Sequence, residues 1–423
     1  PLGSPFFNNR QKNRRERVDT MNKKNLKIRP VTGEDVEQYN ALLRYVFQVT
    51  DQQLRSVGWK EKEFIQAKFP TLEKADVIGW FDGDDLVSQV AVYPMKAKIF
   101  GKTYKMGGLT GVGTYPEYSN MGLMHKLLEQ ALKNMREKGQ YMTYLYPYSI
   151  PYYRRKGWEI ISDKISYEIK DYQLPKNRQV SGDVRRVQAE NGRELAETYD
   201  RFAEHAHGAV VRDELAWNEY WLWDPDDMMA AVYYNPENEP EGYVIYRIAD
   251  EIFYIKDMIF NNEEARAGLW NFVSAHFSMI NQVEGSTFTD EPLAFLFEDA
   301  GIQETISPYY MGRIVDFEAF IRDYPFRPDT SEREWRFTMT DPIMDCNQGT
   351  FLLKIFKDGK GTAERISQPC KDKISIQTMT TMLMGYKRPD YLARIGRIEA
   401  SEQIIDMLKD AIQQQTPYIS DYF

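Results

Sequence analysis

Residues 108–128 read GLTGVGTYPEYSNMGLMHKLL, and the fold turns on how this run divides. Gly111, Val112, Gly113 and Thr114 end a strand with two glycines, which permits a bulge and a close approach of backbone. Pro116 stops the strand. Ser119, Asn120, Met121 and Gly122 then open a helix expected from about Asn120 to Lys138. Its stripe of Leu123, Met124, Leu127, Leu128, Ala131, Leu132 and Met135 recurs at helical spacing, and Gly139 ends it as a C′ residue. From Tyr118 to Leu128 there is no acid, so the positive end of the helix dipole is left for an anion.

Working outward, a short strand at Asn25–Pro30 precedes a helix that starts near Thr32, with Asp35 three residues on and Leu42, Leu43, Val46 and Phe47 at helical spacing. A meander follows: Ala75–Phe81, an Asp82-Gly83 turn, Leu86–Phe100, a Gly101-Lys102 turn, and Thr103–Thr114. After the glycine-rich run come a strand at Tyr141–Tyr146, a short helix at Ser149–Lys156 and two strands within Trp158–Ile169. The order then partly recurs. Asp183–Val187 is a strand, Gly192–Phe202 a helix, and Met229–Tyr234, Gly242–Ile248 and Ile252–Ile259 a second meander. A helix at Ala265–Phe277, a strand at Ser286–Thr289 and a helix at Pro292–Asp299 complete it. The last third has another rhythm: strands at Trp335–Thr340, Gly349–Phe356, Gly361–Ile366 and Lys373–Gln377, then helices at Tyr391–Ile395 and Ser401–Gln414.

The chain has 423 residues, enough for two or three domains. At 42% hydrophobic and 28% charged residues it has the composition of a soluble globular protein, and no apolar run reaches the ~18 residues of a membrane span. Pro1–Ser4 reads as the scar of a cleaved tag, residues 5–20 as a polar, basic leader, and Met21 as a natural start. A net charge of −9 argues against a nucleic-acid partner and is compatible with a cationic substrate. Two cysteines and four histidines, without zinc-ligand spacing, point to no metal site and fit a reducing cytoplasm. Trp221, Trp223, Asp224, Asp226 and Asp227 form an aromatic–acidic cluster able to hold a polycation, or a solvated loop beside core tryptophans.

A helix N-terminus behind a free strand edge suits a ligand with a pyrophosphate and a peptide-like arm, as coenzyme A has. The equivalent junction of the middle third reads Asn261, Asn262, Glu263, Glu264, and those carboxylates would repel a pyrophosphate. The second copy is therefore expected to keep the fold without binding CoA.

With these residues the first domain resembles the GNAT superfamily of acetyltransferases, whose cradle reads Q/R-x-x-G-x-G/A. Ser119 stands at the Q/R position and Met124 at the last small one. The whole chain from about Met21 resembles the enhanced-intracellular-survival (Eis) family. The resemblance implies a mixed α+β fold of tandem GNAT domains, the second degenerate, followed by a sterol-carrier-protein-like domain. The expected boundaries are 21–172, 173–307 and 308–423. It also implies a homo-oligomer, with a hexamer as one form. The implied activity is transfer of acetyl from acetyl-CoA to a primary amine of an aminoglycoside-like molecule, a polyamine or a lysine. Transfer of another acyl group, or lipid binding without catalysis, are the alternatives. Val112, Gly113, Thr114, Ser119, Asn120, Met121, Gly122, Leu123, Met124 and His125 would hold acetyl-CoA, with Tyr148 and Ser149 beyond the fifth strand.

The family pattern maps its catalytic tyrosine onto Tyr153, four residues before Gly157, with Tyr152 as substitute. A phenol of pKa near ~10 protonates a thiolate whose thiol lies near ~8.5 only if neighbours narrow the gap, a task open to Arg154 and Arg155. The resemblance further implies that the carboxylate of Phe423 enters the active site as the base. The apolar tail Tyr418–Phe423 is suited to docking, whether for packing or for catalysis. Asp421 or water is the fallback.

Overall fold

The computed structural model describes residues 25–60, 63, 68–189, 192–222, 224, 227–289 and 293–423. The expected tag scar and leader, Trp223 and Asp226 lie outside them. The described residues form two compact units: those up to Tyr93 with Leu109–Asn134, and those of Pro94–Gly108 with Met135–Phe423.

In the first unit, β1 (Leu26–Pro30), helices α1 (Val36–Val46), α2 (Asp51–Ser56) and α3 (Phe69–Lys74), and strands β2 (Asp76–Asp82), β3 (Asp85–Ile99) and β4 (Lys102–Thr114) lead to α4 (Leu123–Glu137). β2 pairs antiparallel with β1 and β3, and β4 neighbours β3. Strands β3 and β4 continue into the second unit. Asp35 accepts both Arg29 guanidinium nitrogens at 2.8 Å and the Thr32 N–H at 3.0 Å, which ties β1 to the start of α1. α4 begins at Leu123, the first residue of its apolar stripe and three residues later than the expected start near Asn120. Asn120 and Gly122 take φ of +65° and +77°, outside the helical region. Leu127, Leu128, Ala131 and Leu132 are fully buried, as that stripe requires.

The second unit runs β5 (Met142–Leu145), α5 (Ile150–Arg154), β6 (Glu159–Ile160), β7 (Asp163–Lys170), β8 (Asp183–Val187), α6 (Arg193–His205), α7 (Glu214–Trp221), β9 (Met229–Tyr234), β10 (Pro240–Ala249), β11 (Ile252–Phe260), α8 (Glu263–Ser274), β12 (Gln282–Thr287), β13 (Gln303–Pro308), β14 (Met311–Ile314), α9 (Phe317–Asp323), β15 (Arg333–Thr340), β16 (Gly349–Ile355), β17 (Gly361–Ile366), β18 (Lys373–Ser375), α10 (Ile376–Leu383), α11 (Pro389–Arg394), β19 (Ile398–Glu399) and α12 (Glu402–Ala411). β4 pairs in parallel with β5 through Met106–Gly108, and β14 is antiparallel to both β5 and β6. A second sheet has the order β13-β7-β12-β11-β10-β9-β8 and a third the order β17-β16-β15-β18-β19.

Sheet membership departs from the boundaries at 172/173 and 307/308. β7, expected in the first domain, pairs with β12 and β13 in the second sheet, while β14 sits between β5 and β6. Pairing between remote strands leaves no local mark, and Met-Gly-Arg-Ile, with an arginine in it, is too short to announce a strand whose every residue is buried. The second sheet has a core on each face. Val244 and Tyr246 pack under α8 on one side, and Tyr243 and Ile245 pack with Leu195 and Tyr199 of α6 on the other. Helices α7, α9 and α10 appear where no helix was expected. The strand read over Lys373–Gln377 stops at Ser375, whose side chain caps α10 by accepting the Thr378 N–H.

His207 joins three segments of this unit. The Phe100 N–H donates to its Nδ1 at 3.1 Å, so the ring proton sits on Nε2, which donates to the Met384 carbonyl at 2.8 Å. Its ring stacks on Phe100 at 3.7 Å, and its own carbonyl accepts the Tyr418 N–H at 2.7 Å. Complete burial pushes the imidazole down to about 4. The unfolded chain takes up this proton near pH 6.5 and the folded chain only near 4, so stability is whole above 6.5 and is lost as pH falls through that interval. The expected cost is about 2 kcal/mol between pH 7 and pH 5. Urea unfolding at both pH values should show a smaller loss for His207→Gln than for the parent. Equal losses would contradict the assignment.

Candidate active site

In the first unit, β4 ends in a glycine-dependent turn. Gly111 takes φ +61°, and a Cβ on it would stand 3.0 Å from the Tyr39 hydroxyl. A Cβ on Gly113 would stand 3.0 Å from Val46, so α1 packs directly on this part of the strand. The Ser88 hydroxyl donates to the Gly113 carbonyl at 3.2 Å and lies 2.6 Å from the Thr114 hydroxyl. A 3-10 turn at Pro116–Tyr118 follows, pinned by the Tyr118 hydroxyl donating to Asp82 at 3.0 Å. Asn120 and Gly122 then flank Met121 with left-handed backbone. Such alternation turns successive N–H groups to one side and builds an anion-binding concavity. Gly122 has open space where a Cβ would be, so the backbone angle rather than crowding calls for glycine there. The first turn of α4 carries no acid.

Ser119, Asn120 and Gly122 are exposed; Val112, Thr114, Met121, Met124 and His125 are half-buried. The Leu123 side chain is in the core, so only its backbone can face a ligand. In the second unit, Tyr148 is exposed and Ser149 is the N-cap of α5. The matching helix of the second domain, α8, is closed. Its N-cap Asn262 accepts the Ala265 N–H at 2.8 Å, Glu263 and Glu264 occupy the first turn, and Glu264 accepts the Ser181 N–H at 2.5 Å.

Tyr153 lies on α5 with 6% of its surface exposed, and its ring is 5.2 Å from that of Tyr152 and 6.0 Å from that of Trp158. Burial, with a smaller push from Tyr152, raises the phenol well above its ordinary value. Arginine assistance does not materialise. Arg154 donates to Glu159 at 2.8 Å, and Arg155 offsets the burial of Tyr152, not of Tyr153. Sequence reasoning missed Glu159, which also accepts from Arg397 at 2.6 Å, and Arg313, whose guanidinium donates to the Lys156 carbonyl at 2.6 Å. The only hint of Arg313 was an arginine inside an otherwise apolar tetrapeptide.

The tail docks. Phe423 is 9% exposed, its ring packed against Gly108 and 5.4 Å from the Tyr310 ring. Asp421, the fallback base, is instead an anchor. It accepts Arg212 Nε at 2.7 Å, its carbonyl accepts the Tyr309 hydroxyl at 3.1 Å, and Ser420 accepts Arg212 at 3.0 Å. Arg212 is buried among the rings of Tyr199, Tyr220 and Trp217 at 3.8, 4.0 and 4.8 Å, with Asp257 at 3.6 Å. Lys256 already occupies the described part of the aromatic–acidic cluster. Its ammonium is ion-paired to Asp224 and lies 3.9 Å from the Tyr220 ring and 5.3 Å from that of Trp221.

Three family models match: an acetyltransferase (GNAT) domain over residues 27–161, a second acetyltransferase (GNAT) domain over 208–314, and a sterol carrier protein domain over 317–420. An uncharacterized N-acetyltransferase of Streptomyces griseus is 20% identical over 408 residues, covering 87% of this chain and 94% of that protein. A probable N-acyltransferase of Enterococcus faecalis superposes with TM-score 0.85 at 25% identity, over 94% of this chain and 99% of the other. The Eis protein of Mycobacterium abscessus superposes with TM-score 0.77 at 20% identity, over 94% of this chain and all (100%) of its own. The chain is an acyltransferase built from tandem GNAT domains with a sterol carrier protein domain behind them. It shares the fold of that Eis protein over all three domains.

Asp421→Ala leaves Arg212 with Asp257 as its carboxylate partner. The expected loss is about 3 kcal/mol in urea unfolding, with faster removal of Phe423 by carboxypeptidase. An unchanged midpoint and an unchanged rate of removal would show that Arg212 does not hold the tail.

Proposed function

We propose that the protein transfers acetyl from acetyl-CoA to a primary amine of a small cationic acceptor, such as an aminoglycoside-like molecule, a polyamine or a lysine. The observation that carries this reading is the N-terminus of α4, where left-handed Asn120 and Gly122 precede a first turn free of acids, while α8 has both its cap and its acids in place. Backbone N–H groups of this turn take the pyrophosphate, and the end of β4 takes the pantetheine amides. The chain's −9 charge favours approach of a polycation.

In the reaction the amine nitrogen attacks the thioester carbonyl, the C–S bond breaks, and the proton lost by the amine balances the one gained by the thiolate. Tyr153 stays protonated at neutral pH because burial holds its proton, so it donates a hydrogen bond to the departing sulfur. The carboxylate of Phe423 receives the amine proton, directly or through water.

Calorimetry with acetyl-CoA tests the reading. Binding is expected in the parent, about tenfold weaker in Asn120→Asp and several-fold tighter in Ser119→Arg, with both changes shrinking in high salt. No heat at millimolar acetyl-CoA would end the enzyme reading. A panel of polyamines, aminoglycosides and lysine peptides, followed by thiol release, identifies the acceptor. With that acceptor, Tyr153→Phe should lower kcat more than acetyl-CoA affinity. A few residues added after Phe423 should abolish turnover and leave acetyl-CoA binding in place; undiminished turnover would remove Phe423 from the mechanism.

A further inference from the structure

Gly157 takes φ +95°, and a Cβ built on it would lie 1.4 Å from Nη1 of Arg313. The guanidinium fills the volume that a side chain would have used. It donates from Nη1 to the Lys156 carbonyl at 2.6 Å and from Nη2 to both carboxylate oxygens of Asp341 at 2.7 Å. Its carbon lies 5.2 Å from the ring centroid of Trp158, and the Trp158 backbone N–H donates to the Tyr153 carbonyl at 3.1 Å. Arg313 is completely buried, on β14. Asp341 follows β15 and is held in turn by the N–H groups of Ile343 and Met344 and by Asn347.

Helix α5 has five residues, too few to hold its shape unaided. The turn that follows it, Lys156–Trp158, is fastened from outside by Arg313, which donates to the Lys156 carbonyl. Stability alone does not call for this arrangement, since a buried ion pair rarely outperforms apolar residues of the same volume. What the guanidinium adds is a rigid fork of donors with fixed directions. Resting on the reading of Tyr153 given above, we propose that Arg313 is the positioning residue for that tyrosine: the strand inserted between β5 and β6 brings a guanidinium that locks the Lys156–Trp158 turn and so sets the direction of the phenol.

A kinetic double-mutant cycle tests it, with acetyl-CoA and the best amine of the panel. Arg313→Lys keeps the charge and loses the fork. It should lower kcat by about tenfold or more, leave the acetyl-CoA Kd within about twofold, and slow Tyr153→Phe no further when the two are combined. A packing role alone would lower the thermal midpoint and leave kcat per folded molecule unchanged, or multiply with Tyr153→Phe; either result overturns the proposal with the role of the tyrosine intact. If Tyr153→Phe by itself leaves kcat unchanged, the role of the tyrosine fails and the proposal with it. Should Arg313→Lys not fold, Arg313→Met with Asp341→Asn removes both buried charges and enters the same cycle.

Discussion

A guanidinium with no access to water must be neutralised and hydrogen-bonded where it stands; Asp341 neutralises Arg313 and, with the Lys156 carbonyl, takes up its two terminal nitrogens. Burial pushes the Asp341 carboxyl up, but Arg313 and two backbone N–H groups outweigh it and hold the carboxyl below its usual range. Removing one partner of such a pair costs about 3–5 kcal/mol, because the other charge is left in a low-dielectric interior. The demand propagates. β14 must lie between β5 and β6 for Arg313 to reach Lys156, and β15 must end where Asp341 can accept. Asn347 then fastens the start of α9 through the Phe317 N–H at 2.9 Å.

The same requirement explains the second domain. Its helix α8 closes its own N-terminus with Asn262 and two glutamates, so the turn that would hold a pyrophosphate in a GNAT domain is filled by side chains. The fold was kept, and its sheet now surrounds Arg212 with aromatic rings and carboxylates. The tail brings one of those carboxylates, Asp421. Tyr220, Tyr243 and Tyr418 donate to Asp257, and each has its phenol raised far above the ordinary value, chiefly by burial.

Several local features were readable in order along the chain. The apolar stripe of α4, the Asp82-Gly83 hairpin and the two meanders follow from periodicity and turn chemistry, which act over a few residues. The acid-free turn at Asn120–Gly122 and the acidic one at Glu263–Glu264 were likewise written in adjacent residues, whereas Tyr153 was singled out only through the resemblance to the GNAT superfamily. Arg313, Asp341, Arg212 and the pairing of Glu159 with Arg397 were not readable, because the partners lie far apart along the chain. Asp421 looked like a spare base for the same reason: its exposure and its ion pair are tertiary facts.

What the sequence determined by itself was local: which helix would have an acid-free first turn, which would be closed by its own side chains, and where the two meanders turn, since those depend on dihedral preference and on side chains within hydrogen-bond reach of their own backbone. Only the tertiary structure decided the exchange of β7 and β14 between sheets, the burial of Arg212 and Arg313, and the docking of the tail. Strand pairing and charge burial are settled by which remote segment offers the last hydrogen bond and the neutralising carboxylate, and no run of neighbouring residues records that choice.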